Sequence, residues 1–141
     1  MLKKIVLCVL SLGVIGQAQA FDKSQVNLSK DFFGTWTVYS AKTQCTETYQ
    51  FTQPGQFVYT TKQKRMTGEF AVVRNQDAKI LDWLAMDVKT DNKKAGCSGQ
   101  ANDYTGTKIN LVLKWISPKT AELCLDREAK QCTGLYLIKQ K

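Results

Sequence analysis

Between Gly34 and Lys139, apolar and polar positions alternate in short segments broken by turn residues. A period of two marks half-buried antiparallel strands, whose successive side chains point to opposite faces. The pattern predicts eight strands, over Gly34–Ser40, Thr46–Thr52, Phe57–Lys62, Met66–Val73, Ile80–Lys89, Lys108–Ile116, Thr120–Asp126 and Thr133–Lys139. Gln53-Pro54-Gly55-Gln56 has proline and glycine where a tight turn wants them, and Asn75-Gln76-Asp77 and Ser117-Pro118 mark two further breaks. The inward faces carry Trp36 and Val38, Tyr49 and Phe51, Phe57 and Tyr59, Phe70 and Val72. They continue with Ile80, Leu84, Met86 and Val88, then Ile109, Leu111, Leu113 and Trp115, then Leu123 and Leu125, and last Leu135 and Leu137. Eight strands with one apolar face each and short connections predict an all-β fold, an eight-stranded antiparallel up-and-down barrel, because closure removes exposed sheet edges. A two-sheet sandwich satisfies the same alternation.

Two places interrupt it. Leu81 and Trp83 fall on the outward face of the fifth strand, which calls for a covering arm or loop or for contact with another protein. Asp82 between them has inward parity, where a carboxylate must be paired or neutral. A bulge or a place near the strand end relieves it; a polar floor under a ligand is the other reading.

The first residues follow a different pattern. Lys3 and Lys4 precede an apolar run from Ile5 to Ile15, and Ala18 and Ala20 flank Gln19, which is the layout of a secretory signal peptide. The run is too short to hold a chain across a bilayer. The expected organisation is a signal peptide over residues 1–20 and one barrel domain over residues 21–141, entered through a polar arm, Asp22–Lys30. Removal of Lys3 and Lys4 lowers the formal charge of +8 by two. The product is expected to be a periplasmic or secreted monomer without a membrane span.

Composition narrows the chemistry. The chain has no histidine, which excludes Ser-His-Asp and Cys-His catalysis and histidine-ligated zinc or haem. Neither a phosphate-binding glycine loop nor a nucleophile elbow is present, so no enzymatic activity, cofactor or metal is expected. With Cys8 inside the leader, Cys45, Cys97, Cys124 and Cys132 remain, an even number in an exported chain, which reads as two disulfides. A four-cysteine zinc site would want paired short spacings that are absent. Cys124 and Cys132 are symmetric about Glu128, so a three-residue hairpin loop, Arg127–Ala129, sets them opposite each other at disulfide distance. That pairing leaves Cys45–Cys97. The basic tip Thr60–Arg65 lacks any accompanying RNA-binding motif and reads as a solvated turn, so no nucleic acid is expected.

Phe33-Gly34-Thr35-Trp36 at the head of the first strand resembles the Gly-x-Trp signature of the lipocalin-like (calycin) barrels. Fatty-acid-binding proteins, avidins and a family of small bacterial inhibitors of metalloproteases open in a similar way. The resemblance implies that Gly34 and Trp36 are structural, with Trp36 packed across the closed end of the barrel. Two departures stand out. The chain ends its last strand with Leu137-Ile138-Lys139, so Lys139 takes the place of the arginine that packs on the tryptophan in lipocalins, or that place is empty. The Arg-x-Tyr ligand clamp of fatty-acid-binding proteins is missing.

An up-and-down order places the first, third, fifth and seventh connections on one rim, opposite Trp36. Lys62, Lys64, Arg65, Lys93, Lys94 and Arg127 are the candidate rim charges, and the long connection Thr90–Thr105 carries Cys97. Connections of that length are usually functional or disordered. Candidate ligand-lining residues are Tyr49, Phe51, Phe57, Tyr59, Phe70, Met86, Leu111 and Leu113. Such aromatics either fill a small barrel or line a cavity, since eight strands enclose room for side chains or one small ligand. The expected function is an exported binding protein holding an apolar or amphipathic small molecule, with the basic rim favouring an anionic headgroup. The alternative is an inhibitor of a secreted protease, less readily of lysozyme, acting through the rim loops or the arm.

Overall fold

Each strand pairs with its neighbour in the sequence, and the last returns to the first. In the computed structural model, which describes residues 19–141, β1 (Gly34–Ser40), β2 (Cys45–Thr52), β3 (Gln56–Thr61), β4 (Lys64–Val73), β5 (Asp82–Asp91), β6 (Lys108–Ser117), β7 (Thr120–Cys124) and β8 (Cys132–Lys139) form a closed antiparallel barrel. Closure runs through Trp36↔Lys139, Thr37↔Ile138 and Val38↔Leu137. The segment expected to be a signal peptide, but for its last two residues, lies outside the described residues. No helix among the described residues is long and apolar enough to cross a membrane.

The closed end is packed with aromatic rings. Trp36 is fully buried and its indole N–H donates to the carbonyl of Phe32 at 2.8 Å. The Phe32 ring lies 4.7 Å from Phe51 and 5.7 Å from Phe70, and Trp115 meets Trp36 at 6.1 Å. Offset and edge-on pairs of this kind add about 0.5–1.5 kcal/mol each beyond the area they bury. Gly34 enters β1 at φ 127°, a conformation closed to most side chains, and a Cβ there would meet Cε of Lys139 at 3.1 Å. Lys139 closes over the tryptophan: its ammonium sits 5.8 Å from the Trp36 ring and donates to the carbonyl of Asp31.

The arm is part of the barrel. A 3₁₀ turn, Lys23–Gln25, and a short helix, α1 (Leu28–Asp31), run beneath the closed end, where Val26 is fully buried. Lys23 donates to the carbonyls of Asn75, Asp77 and Ile80 at 2.8, 2.9 and 2.6 Å. Arg74 reaches the carbonyl of Val26 at 2.8 Å and the carboxylate of Asp82 at 2.8 Å. Asp82 also accepts from the Trp115 indole at 2.9 Å and faces Lys23 at 3.5 Å. It is the first residue of β5, in regular register with Leu113, so inward parity is kept without a bulge at that point. Two cations and an indole satisfy a carboxylate that no water reaches.

A bulge lies elsewhere, between Thr67 and Gly68 of β4. A Cβ on Gly68 would come within 2.0 Å of the Asp87 carbonyl, so only glycine fits where β4 and β5 close up.

The eighth-strand hairpin departs from expectation. Cys124 and Cys132 are bonded and paired, with Cα atoms 3.9 Å apart. However, β7 stops at Cys124 rather than Asp126, and Leu125 is 71% exposed instead of inward. The ladder shifts between Glu122 and Cys124, so Leu123 and Cys124 are both buried and the alternation breaks there. The connection is then Leu125–Gln131, and it folds across the outer wall. The Arg127 carbonyl accepts from the Leu81 N–H at 2.7 Å, and its guanidinium stacks 3.8 Å from the Trp83 ring. A loop therefore covers the outward apolar pair.

Candidate functional site

Above the aromatic plug the barrel is hollow. A cavity of about 680 Å³ opens in its upper half, within the range that holds a small organic ligand. Tyr49 and Phe57 form the boundary with the plug; Tyr59, Met66, Met86, Ile109 and Leu111 continue the wall. The lip on one side is made by Asn110, Val112, Cys124, Leu125, Thr133 and Leu135. This side is open for a reason visible in the register. β7 has five residues and reaches only Val112 of β6, while β8 pairs with β1 no further than Val38, so the wall between β6 and β1 is incomplete.

The long connection after β5 crosses the mouth. Cys97 is bonded to Cys45 at the start of β2, with Cα atoms 5.7 Å apart. Beneath it Lys64 is 4% exposed and donates to Asp91 at 2.9 Å, to the carbonyl of Asn102 at 2.7 Å and to that of Lys94 at 3.4 Å. The Asp91 carboxylate in turn accepts from the N–H groups of Tyr104 and Lys93, both at 2.8 Å. Burial pushes the Asp91 carboxyl up, but the hydrogen bonds from Lys64 and from the two N–H groups outweigh it and hold it below the usual carboxylate value. One buried ion pair thus organises the loop from inside. Gly96 sits so close to Lys64 that an added Cβ would meet its Cδ at 3.2 Å.

At the polar end, Tyr59 Oη donates to Glu47 Oε1 at 2.7 Å, and the Tyr49 ring stands edge-on to Tyr59 at 5.0 Å. Burial, and then the charge of Glu47, push both phenols well above their ordinary range. They stay neutral hydroxyls at any physiological pH.

Of the expected lining residues, Tyr49, Phe57, Tyr59, Met86 and Leu111 face the cavity. Phe51, Phe70 and Leu113 do not: Phe51 and Leu113 are almost fully buried in the packed end, and Phe70 lies 4.7 Å from Phe51. Of the rim charges, Lys62, Arg65, Lys93 and Lys94 are exposed and lie outside the cavity lining. Lys64 is a buried strut and Arg127 a cover for Trp83, so neither is a rim cation. Glu47 and Tyr104 are site residues that the pattern did not single out, and Lys64, named as a rim charge, was not expected in the cavity wall. Parity was a usable signal for two of them, since Glu47 precedes Tyr49 and Phe51 by two and four, and Lys64 precedes Met66 by two. Among the described residues no cluster of carboxylates or thiols is arranged to hold a metal ion.

Compared with protein-family models, curated proteins and solved structures, the chain has no match. The lipocalin likeness therefore rests on the barrel and on Gly34-x-Trp36.

Proposed function

We propose that this chain is an exported, lipocalin-like carrier that holds an apolar or amphipathic small molecule in the upper half of its barrel, in the periplasm or the secreted fraction. The observation that carries the reading is the hollow over Tyr49 and Phe57, walled by methionine, leucine and aromatic side chains and joined to solvent through the β6–β8 gap. Two disulfides support an oxidising compartment. Calycin membership is part of the same proposal, supported by Trp36 at the closed end with Lys139 over its ring. The expectation of an anionic headgroup loses its basis, because among the described residues Lys64 is the one basic residue lining the cavity and it is already paired.

An inhibitor acting through the arm is a weaker reading, since Lys23, Val26 and Arg74 tie that segment beneath the barrel. An inhibitor acting through the stapled loop after β5 is the competitor that keeps support, from the exposure of Lys93 and Lys94 on a loop fixed by Cys97.

Native mass spectrometry of protein recovered from an oxidising compartment tests the carrier. An adduct lost on denaturation is the expected result. Leu111→Trp should abolish it, together with binding of an apolar fluorescent probe, while stability changes by only about 1–3 kcal/mol. A protein that carries no adduct and binds no probe would sink the carrier and favour the loop inhibitor.

A further inference from the structure

The chain is strongly basic, with a formal charge of +8, yet its cavity is not. Among the described residues two charged side chains line it, Lys64 and Glu47. The ammonium of Lys64 has three protons to donate, and Asp91 and the carbonyls of Asn102 and Lys94 accept them. The Lys64–Asp91 pair is electrically neutral and closed to a ligand. Glu47 is different. Its carboxylate accepts a hydrogen bond from Tyr59 and has the Tyr49 hydroxyl as a second hydrogen-bonding neighbour, and among the described residues no lysine or arginine lies within ion-pair distance of it. A carboxylate offers about four acceptor positions, so part of its capacity and all of its charge are left without a partner in the protein. Beside it stand Tyr59, which bonds it directly, and Tyr49, whose ring is edge-on to Tyr59 at 5.0 Å.

We infer that the cavity selects amphipathic organic cations, an amine or quaternary ammonium on an apolar tail, with Glu47 as the counter-ion. This rests on the carrier reading above and names its ligand class. The tail lies along Met66, Met86 and Leu111; the head pairs with Glu47 and is flanked by aromatic rings, which attract cations through their quadrupoles. An anion of the same shape would face a carboxylate across apolar walls, with no free donor of positive charge to offset it. Neutral phenols at Tyr49 and Tyr59 add no negative charge that could compete for the head.

The test is calorimetric titration of the disulfide-intact protein with dodecyltrimethylammonium and dodecanoate, each below its micelle concentration, and with dodecanol below its solubility limit. Only binding lost in Leu111→Trp is counted, which sets aside adsorption of the anion to the basic exterior. The cation should bind roughly tenfold or more tighter than the alcohol or the anion. Glu47→Gln should bring the cation down to the level of the alcohol and leave the alcohol unchanged. The comparison among the three probes on the unmutated protein stands by itself should that variant fail to fold. A cation that binds no better than the alcohol, or a preference that survives Glu47→Gln, overturns the ligand class and leaves the carrier intact. Failure of all three probes to bind overturns both.

Discussion

The two halves of this barrel are made from the same eight strands and handle the same problem in opposite ways. In the closed half, Phe32, Trp36, Phe51, Phe70 and Trp115 meet ring to ring, and the arm seals the base with Val26 and Phe32. In the open half the inward positions are Tyr49, Tyr59, Met66, Met86 and Leu111, which belong to or pack on the same core and border a cavity. Lost contacts there must be offset, since a void forfeits the dispersion energy of its lining. Both ends also bury a carboxylate, but to different purpose. Asp82 fixes the arm to the base, whereas Asp91 fixes the loop after β5 over the mouth. Packing holds the first half, and cross-links and an ion pair hold the second.

That contrast can be broken most directly by truncation. Trp36→Ala removes the centre of the plug and should cost about 3–5 kcal/mol, read as a fall in the urea midpoint. Leu111→Ala, beside space already empty, should cost about 2 kcal/mol or less. Equal losses at the two sites would show the upper half to be as tightly packed as the lower. Next in size is Asp82→Asn, which leaves Arg74 and Lys23 without their counter-ion and should cost about 3 kcal/mol. Faster proteolysis of the arm should accompany it, and an arm that stays protected would show that Val26 and the carbonyl contacts suffice to hold it.

Removing the Cys45–Cys97 bridge by the double change Cys45→Ala and Cys97→Ala should cost about 2–4 kcal/mol. Hydrogen exchange sharpens the result. Amides between Asn92 and Thr107 should lose protection while those around Trp36 and Phe51 keep theirs. Uniform loss over both halves would mean that the bridge supports the whole barrel. The smallest expected effect is acidic. Asp91 has its carboxyl below the ordinary value of 3.8, so the folded state favours its ionised form. Its contribution is complete above pH 3.8 and fades as pH falls through the lower folded value. Protection at Tyr104 and Lys93 should therefore fade in strong acid; protection that is unchanged there would place the hold on the loop in the disulfide alone.

Much of the closed half was legible in the residues. Alternation located all eight strands to within a few positions, and the symmetry of Cys124 and Cys132 about Glu128 identified one bridge and, by remainder, the other. The hairpin between them was less legible. Strict alternation carried Leu125 inward, but the ladder slips after Glu122, and a slip of one residue reverses the face of every side chain beyond it. The site was half visible. Parity identified Tyr49, Tyr59 and Met86 as inward, yet it treats Phe51 and Phe57 alike, although one is sealed in the plug and the other borders the cavity.

The sequence by itself determined the all-β class and most of the residues that turn inward, and its hairpin symmetry favoured the pairing of cysteines that the structure has, because these follow from periodicity and from spacing along one chain. Only the tertiary structure decided that Lys64 is a buried strut held by Asp91, that Arg127 covers Trp83 from outside, and that Glu47 stands without a cationic partner among the described residues. Those facts depend on which side chains meet across strands far apart in sequence and on how far a short β7 leaves the wall open. Charge composition predicted a basic site. Pairing in three dimensions neutralised Lys64 and, among the described residues that line the cavity, left Glu47 as the charged group without an ion-pair partner.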